Sequence, residues 1–257
     1  MKKNRTACPA IVLGLAFALS GCGTRYAVSS VEGTRILVDS RYDRNPDAGA
    51  VAFLAPYKHQ VDSLMMPVVG YSAHAMSATR PESDLSNLLA DIMVWAGGTC
   101  GEQPQLGVYN VGGIRADLPA GNVTKGHLLD IAPFENKLVF LTLTGDKLLQ
   151  LFREIAHRGG EGVSSGVRLV ITPSGELLSA TLHGKEIDPQ ASYRIATLDY
   201  LAQGNDQLTA FKAKTNVAHP KDRASDSRFV IEAYFVDKAS RGEKVDARVE
   251  GRIIIKE

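Results

Sequence analysis

From residue 83 to residue 96 the apolar side chains Leu85, Leu88, Leu89, Ile92, Met93 and Ala96 recur at i, i+3, i+4, i+7, i+8 and i+11. That spacing places all six on one face of a helix. Ser83 or Asp84 is suited to cap its start and Gly97-Gly98 to end it. A helix of this kind needs a covering surface, and the sequence supplies short β-branched or apolar runs at residues 66–70, 105–110, 137–144, 166–171, 177–182, 193–198 and 248–255. A second helical stripe, Leu148, Leu151, Phe152 and Ile155, lies within residues 146–157 and stops at Gly159-Gly160. Residues 229–236 fit either state, with Asp226-Ser227 favouring a helix, and Thr124 is placed to cap a brief one. Helices and strands do not alternate steadily, so the expected fold is α+β, a mixed sheet with packed helices. Two further strands are expected at 34–38 and 51–54, separated by Asn45-Pro46-Asp47.

The N-terminus has a different character. Lys2, Lys3 and Arg5 precede an apolar run at 11–19 that is too short for a membrane span and is followed by Leu19-Ser20-Gly21-Cys22. The tetrapeptide resembles a bacterial lipobox, which implies cleavage before Cys22 and attachment of lipid to that cysteine. The expected organisation is a signal peptide at 1–21, a lipidated tether with two strands at 22–56, and a domain at 57–257. The expected location is the bacterial cell envelope, with the membrane reached through Cys22 and the domain facing the periplasm or the surface. Cleavage takes three cationic side chains away, moving the formal charge from +1 to −2 and leaving no basic excess for nucleic acid. With Cys8 removed and Cys22 acylated, Cys100 stands alone and no disulfide framework is expected.

Several chemistries lack their usual signatures. The six histidines, at 59, 74, 127, 157, 183 and 219, show no pair at metal-binding helix spacing, and there is no Cys-x-x-Cys. No Gly-x-Ser-x-Gly and no Walker-type phosphate loop occurs. No catalytic residue and no metal ligand is therefore assigned.

Three loops stand out instead. Asn110-Val-Gly-Gly-Ile-Arg115 follows a strand and joins a glycine turn to an amide and a guanidinium, a planar fork of donors. Pro133-Phe134-Glu135-Asn136 carries an aromatic and an amide. Residues 199–206 carry Tyr200, Gly204 and Asp206 at a strand exit. Two aromatics, two amides, an Arg and an Asp suit a nucleoside, because bases stack on aromatic faces and a carboxylate accepts from a ribose diol.

In order along the chain, NVGGIR, PFEN, LTLTGDKLLQLF, SSGVRL and YRIATLDYLAQGND resemble the C-terminal domain of the 5'-nucleotidase family, over roughly residues 57–254. The resemblance implies a domain that binds the nucleoside part of the substrate, while a separate metallophosphoesterase domain holds two divalent metals and hydrolyses. Carried across, it implies stacking by Phe134 and Tyr200, contact with the base by Asn110, with the ribose or phosphate by Arg115, and with the ribose hydroxyls by Asp206. Asn136 and Gly166 are further implied pocket positions. Tyr200 replaces a more usual Phe, Asn205 a second Gly and Val111 a common Gly, while Arg80 is one residue out of line with a family arginine. About 35 residues separate Cys22 from the domain, fewer than a compact domain needs. The expectation is a nucleotide-binding lipoprotein without cofactor, working with a metallophosphoesterase made as another polypeptide. The alternatives are a stand-alone nucleoside or nucleotide scavenger, or a scaffold that binds nothing.

Overall fold

The computed structural model describes residues 26–221 and 225–257. The expected signal peptide and the expected lipidation site, Cys22, lie outside the described residues. The chain divides into two compact units, Met1–Ala52 and Phe53–Glu257. Residues 26–38 of the first unit carry no regular structure, so the strand expected at 34–38 is not formed. Among the described residues no helix is long and apolar enough to cross a membrane.

The strand expected at 51–54 is instead part of a helix, α1 (Ala48–Met65). The reason is local. Asp47 accepts from the Ala50 amide through its carboxylate (2.7 Å) and from Val51 through its carbonyl (2.9 Å), which is an N-cap. Five alanines and glycines lie within the first eight residues of the helix, and the alanine-rich composition outweighs the β preference of Val51.

The second unit is α+β with mixed sheets. After β1 (Val68–Ser72), α2 (Asp84–Thr99) starts at a capping box in which Ser83 and Ser86 each accept from the other's backbone. It runs through Gly97 and Gly98 rather than stopping there; the Gly97 carbonyl takes the Cys100 and Glu102 amides and turns the chain beyond them. The predicted apolar face is buried throughout, from Leu85 to Ala96, each large side chain contributing roughly 1.5–3 kcal/mol. The order continues with β2 (Leu106–Tyr109), β3 (Gly121–Thr124), α3 (Lys125–Ile131), β4 (Leu138–Thr144), α4 (Gly145–His157), β5 (Gly162–Val163), β6 (Val167–Ile171), β7 (Leu177–Leu182), β8 (Lys185–Glu186), β9 (Ser192–Leu198), α5 (Asp199–Ala202), β10 (Thr215–Ala218), α6 (Ser227–Ser240) and β11 (Ile253–Ile255).

The central sheet has the order β10-β4-β9-β2-β5. β2 and β9 are parallel, whereas β4 is antiparallel to β9 and β5 to β2. α2 lies so close to β2 that a Cβ on Gly107 would stand 2.4 Å from the Ala90 carbonyl, which explains a glycine in mid-strand. A second sheet, β11-β6-β7-β8, takes the C-terminal strand in parallel with β6, and β1 pairs with β3. The buried Arg252, immediately before β11, ties that strand to α2 through Asp91 (2.8 Å) and to the Val163 carbonyl (2.8 Å).

Candidate functional site

Strand polarity brings the three singled-out loops together. β2 and β9 end at the same edge of the central sheet where their antiparallel neighbours β4 and β5 begin. Asn110 leaves β2 there, Tyr200 and Asp206 leave β9, Phe134 and Asn136 lead into β4, and Arg158 and Glu161 lead into β5. A reciprocal pair of hydrogen bonds fixes two of these loops to one another: the Lys137 amide donates to the Asp199 carboxylate (2.9 Å) and the Asp199 amide to the Lys137 carbonyl (2.8 Å).

The result is a cleft of about 240 Å³ lined by Asn110, Gly112, Gly113, Phe134, Asn136, Arg158, Tyr200 and Asp206. Phe134 is 47% exposed and Tyr200 37%, an unusual pairing of open aromatic surface in one concavity. Asp206 has a positive φ of 54° and receives hydrogen bonds on both carboxylate oxygens, from the Tyr200 hydroxyl (3.0 Å) and from the buried Asn110 amide (2.9 Å). The bond to Asp206 raises the Tyr200 pKa above its ordinary value, helped by partial burial and the Asp206 charge and opposed by Arg158. Burial likewise pushes the Tyr109 phenol up.

Beneath the cleft lies Glu161, whose side chain is fully buried. It accepts from the Val111 amide (2.6 Å), from Arg158 Nε (2.7 Å) and from Arg80 Nη2 (2.5 Å). One carboxylate thus anchors the loop that carries Asn110 and orients Arg158, whose Nη2 stands 3.8 Å from Asp206. Arg80 also donates to the Gly160 carbonyl (2.8 Å), so its part here is to hold Glu161 and the turn before β5.

Of the expected site residues, Asn110, Phe134, Asn136, Tyr200 and Asp206 come together in the cleft. Arg115 and Gly166 do not line it. Arg115 bends back to the Gly112 carbonyl (3.3 Å), beside the cleft rather than in it. Gly166 has φ +90° and packs so tightly that a Cβ would stand 2.3 Å from the His183 ring; it serves the turn between β5 and β6. Gly112 and Gly113 keep ordinary backbone angles. The reason for Gly113 is contact, since a Cβ there would meet the Asn110 side chain at 2.8 Å. Arg158 and Glu161 are additions that sequence reasoning missed; charged residues on either side of Gly159-Gly160 were the available signal. Among the described residues no group of three His, Cys, Asp or Glu side chains is placed to hold a metal ion. The cleft's donor set, with its carboxylate already receiving two hydrogen bonds, does not fit one.

The cleft is thus aromatic-lined, lies at the end of a mixed sheet, and is backed by amides, one acid and one guanidinium. The family model described as the 5'-nucleotidase C-terminal domain matches residues 68–213, and the chain belongs to that family. It is 27% identical over 236 residues to the trifunctional nucleotide phosphoesterase protein YfkN of Bacillus subtilis, covering 84% of this chain and 16% of that one. Protein UshA of Yersinia enterocolitica is 24% identical over 188 residues, covering 70% of this chain and 33% of its own. Among solved structures, the 5'-nucleotidase precursor from Thermus thermophilus superposes with a TM-score of 0.69 at 26% identity, over 80% of this chain and 43% of that one. The chain therefore spans less than half the length of these relatives.

Proposed function

We propose that this domain recognises a nucleotide or nucleoside and supplies that recognition to 5'-nucleotide hydrolysis, the bond being cut by a metallophosphoesterase made as a separate polypeptide and holding the two divalent metals. The observation that carries the reading is the pair of exposed aromatics, Phe134 and Tyr200, on separate loops of one 240 Å³ cleft. That volume is just under the roughly 300–1,000 Å³ of ordinary small-molecule sites, a size suited to one nucleoside. A base stacks between the two rings, with Asn110 and Asn136 offering amides at its edge. The remaining lone pairs of Asp206 accept from the sugar hydroxyls, and Arg115, beside the cleft, meets the phosphate. The family's printed description and the nucleotide phosphoesterase and 5'-nucleotidase names among the relatives support this assignment.

In the same reading the chain sits in the bacterial cell envelope as a lipoprotein acylated at Cys22. Support comes from the charged, apolar and small-residue series that precedes that cysteine, together with a relative named as a cell wall protein, Lmo0130 of Listeria monocytogenes, 24% identical over 236 residues. Steady-state hydrolysis of AMP by the phosphoesterase, with and without this chain, tests the functional part. Addition is expected to raise kcat/KM and to be cancelled by Phe134→Ala. Unchanged kinetics together with failure to co-purify contradict it.

A further inference from the structure

α1 has an apolar face that stays exposed among the described residues. Phe53, Leu54, Tyr57, Val61 and Leu64 follow at i, i+1, i+4, i+8 and i+11, a stripe at helical period, and they are 69%, 55%, 60%, 54% and 58% exposed. No residue of α1 is buried. Phe53 and Tyr57 lean on each other with ring centroids 5.9 Å apart, so the stripe is a formed surface. At its C-terminal end Leu64 and Met65 open into a depression of about 350 Å³ whose lining joins Leu128, Leu129 and Phe229 to Arg228 and to the ion pair of Lys125 with Glu232 (2.9 Å).

We propose that this stripe docks the metal-dependent phosphoesterase polypeptide, seating α1 as a helix in an apolar groove of the partner. The inference rests on the reading that hydrolysis belongs to a separate chain. Three observations select that occupant. First, α1 ends at Met65, three residues before the family match begins, and that match is by description a C-terminal domain. A domain described as C-terminal is one that other polypeptide precedes, and such polypeptide would adjoin it at this end. Second, the helix has no cationic face for a lipid surface: Lys58 is its one Lys or Arg and is paired with Asp62. Third, five side chains more than half exposed offer on the order of 500 Å² of apolar area, most of the roughly 800 Å² per partner in a standard interface, and the adjoining depression adds to it.

The test uses the full chain carrying Cys22→Ser to prevent acylation, and as probes the purified metallophosphoesterase polypeptides of its own genome. Sedimentation velocity is expected to show a monomer alone and a complex with one of these enzymes. The Tyr57→Ser/Leu64→Ser double variant should weaken that complex at least about tenfold while keeping the wild-type circular dichroism and nucleotide affinity. Phe134→Ala should leave it intact while losing nucleotide affinity; a wild-type chain that forms the complex but binds no nucleotide sinks the nucleotide reading and spares this one. Three results overturn the docking proposal: equal complex formation by the double variant, self-association that the double variant abolishes, or co-flotation of the Cys22→Ser chain with phosphatidylcholine vesicles. Failure to bind any of the probes overturns it as well.

Discussion

Replacing Glu161 by Gln should damage both the stability of the domain and its cleft, and the size of each effect follows from three contacts. The carboxylate is fully buried and accepts from the Val111 amide, Arg158 and Arg80 at 2.6, 2.7 and 2.5 Å. A glutamine keeps one acceptor oxygen and turns the other into an NH₂ group. Whichever way it is oriented, that group faces an N–H it cannot bond; Arg80 loses its counter-charge and Arg158 keeps only the more distant Asp206, at 3.8 Å. Removing one partner of a buried ion pair costs roughly 3–5 kcal/mol. Here the arginine side chains are 33% and 19% exposed and retain water, which places the expected loss near the lower end. Urea unfolding followed by circular dichroism should show a loss of about 3 kcal/mol with an unchanged slope. The Val111 amide follows Asn110 directly, so nucleoside affinity of the folded fraction should fall about tenfold, equivalent to roughly 1.4 kcal/mol. A stability loss under about 1 kcal/mol, or a stability loss with affinity untouched, refutes the assignment of Glu161 as the residue that positions the cleft wall.

Two other perturbations isolate single contacts. Tyr200→Phe removes the hydroxyl bonded to Asp206 and keeps the ring, so stability should change by about 1 kcal/mol or less, the scale of one partly exposed hydrogen bond; thermal unfolding and nucleoside titration should both move far less than for Phe134→Ala. Asp226 caps α6; burial works to raise its pKa, but the Arg228 side chain and amide, with Lys137, lower it overall. A folded-state pKa below the unfolded value near 3.9 means stabilisation that is complete above that pH and lost as pH falls through it toward the folded value. The difference in unfolding free energy between wild type and Asp226→Asn should therefore be constant near neutrality and shrink below about pH 4; a difference that grows on acidification contradicts the assignment.

Helices α2 and α4 were legible because their apolar periodicity had no rival, the stripe from Leu85 to Ala96 being buried as a unit, and 177–182 is the observed β7. Elsewhere a short polar signal governed, as Asp226 does at the start of α6. At α1 an aspartate cap decided between strand and helix, although Val51 to Leu54 alone read as β. The two-residue strands β5 and β8 carry no periodicity to read. In the cleft, Asn110, Phe134, Asn136, Tyr200 and Asp206 were found because each sits in a loop block of unusual make-up. Arg158 and Glu161 were not, since Gly159-Gly160 reads as a helix stop and conceals that the residues flanking it are aimed inward. Arg115 and Gly166 show the converse, positions that the family resemblance implied and that this fold sets beside the cleft or in a turn.

Titration calorimetry of AMP and adenosine into the purified chain, alongside Phe134→Ala, tests most directly whether the cleft binds a nucleoside by aromatic stacking. Saturable one-to-one binding to the wild type is the predicted result. Truncating Phe134 should cost roughly 1–3 kcal/mol of binding free energy, which is the contribution of one base stacked on one aromatic ring. Absence of heat with either ligand, or equal affinity for the two proteins, contradicts it.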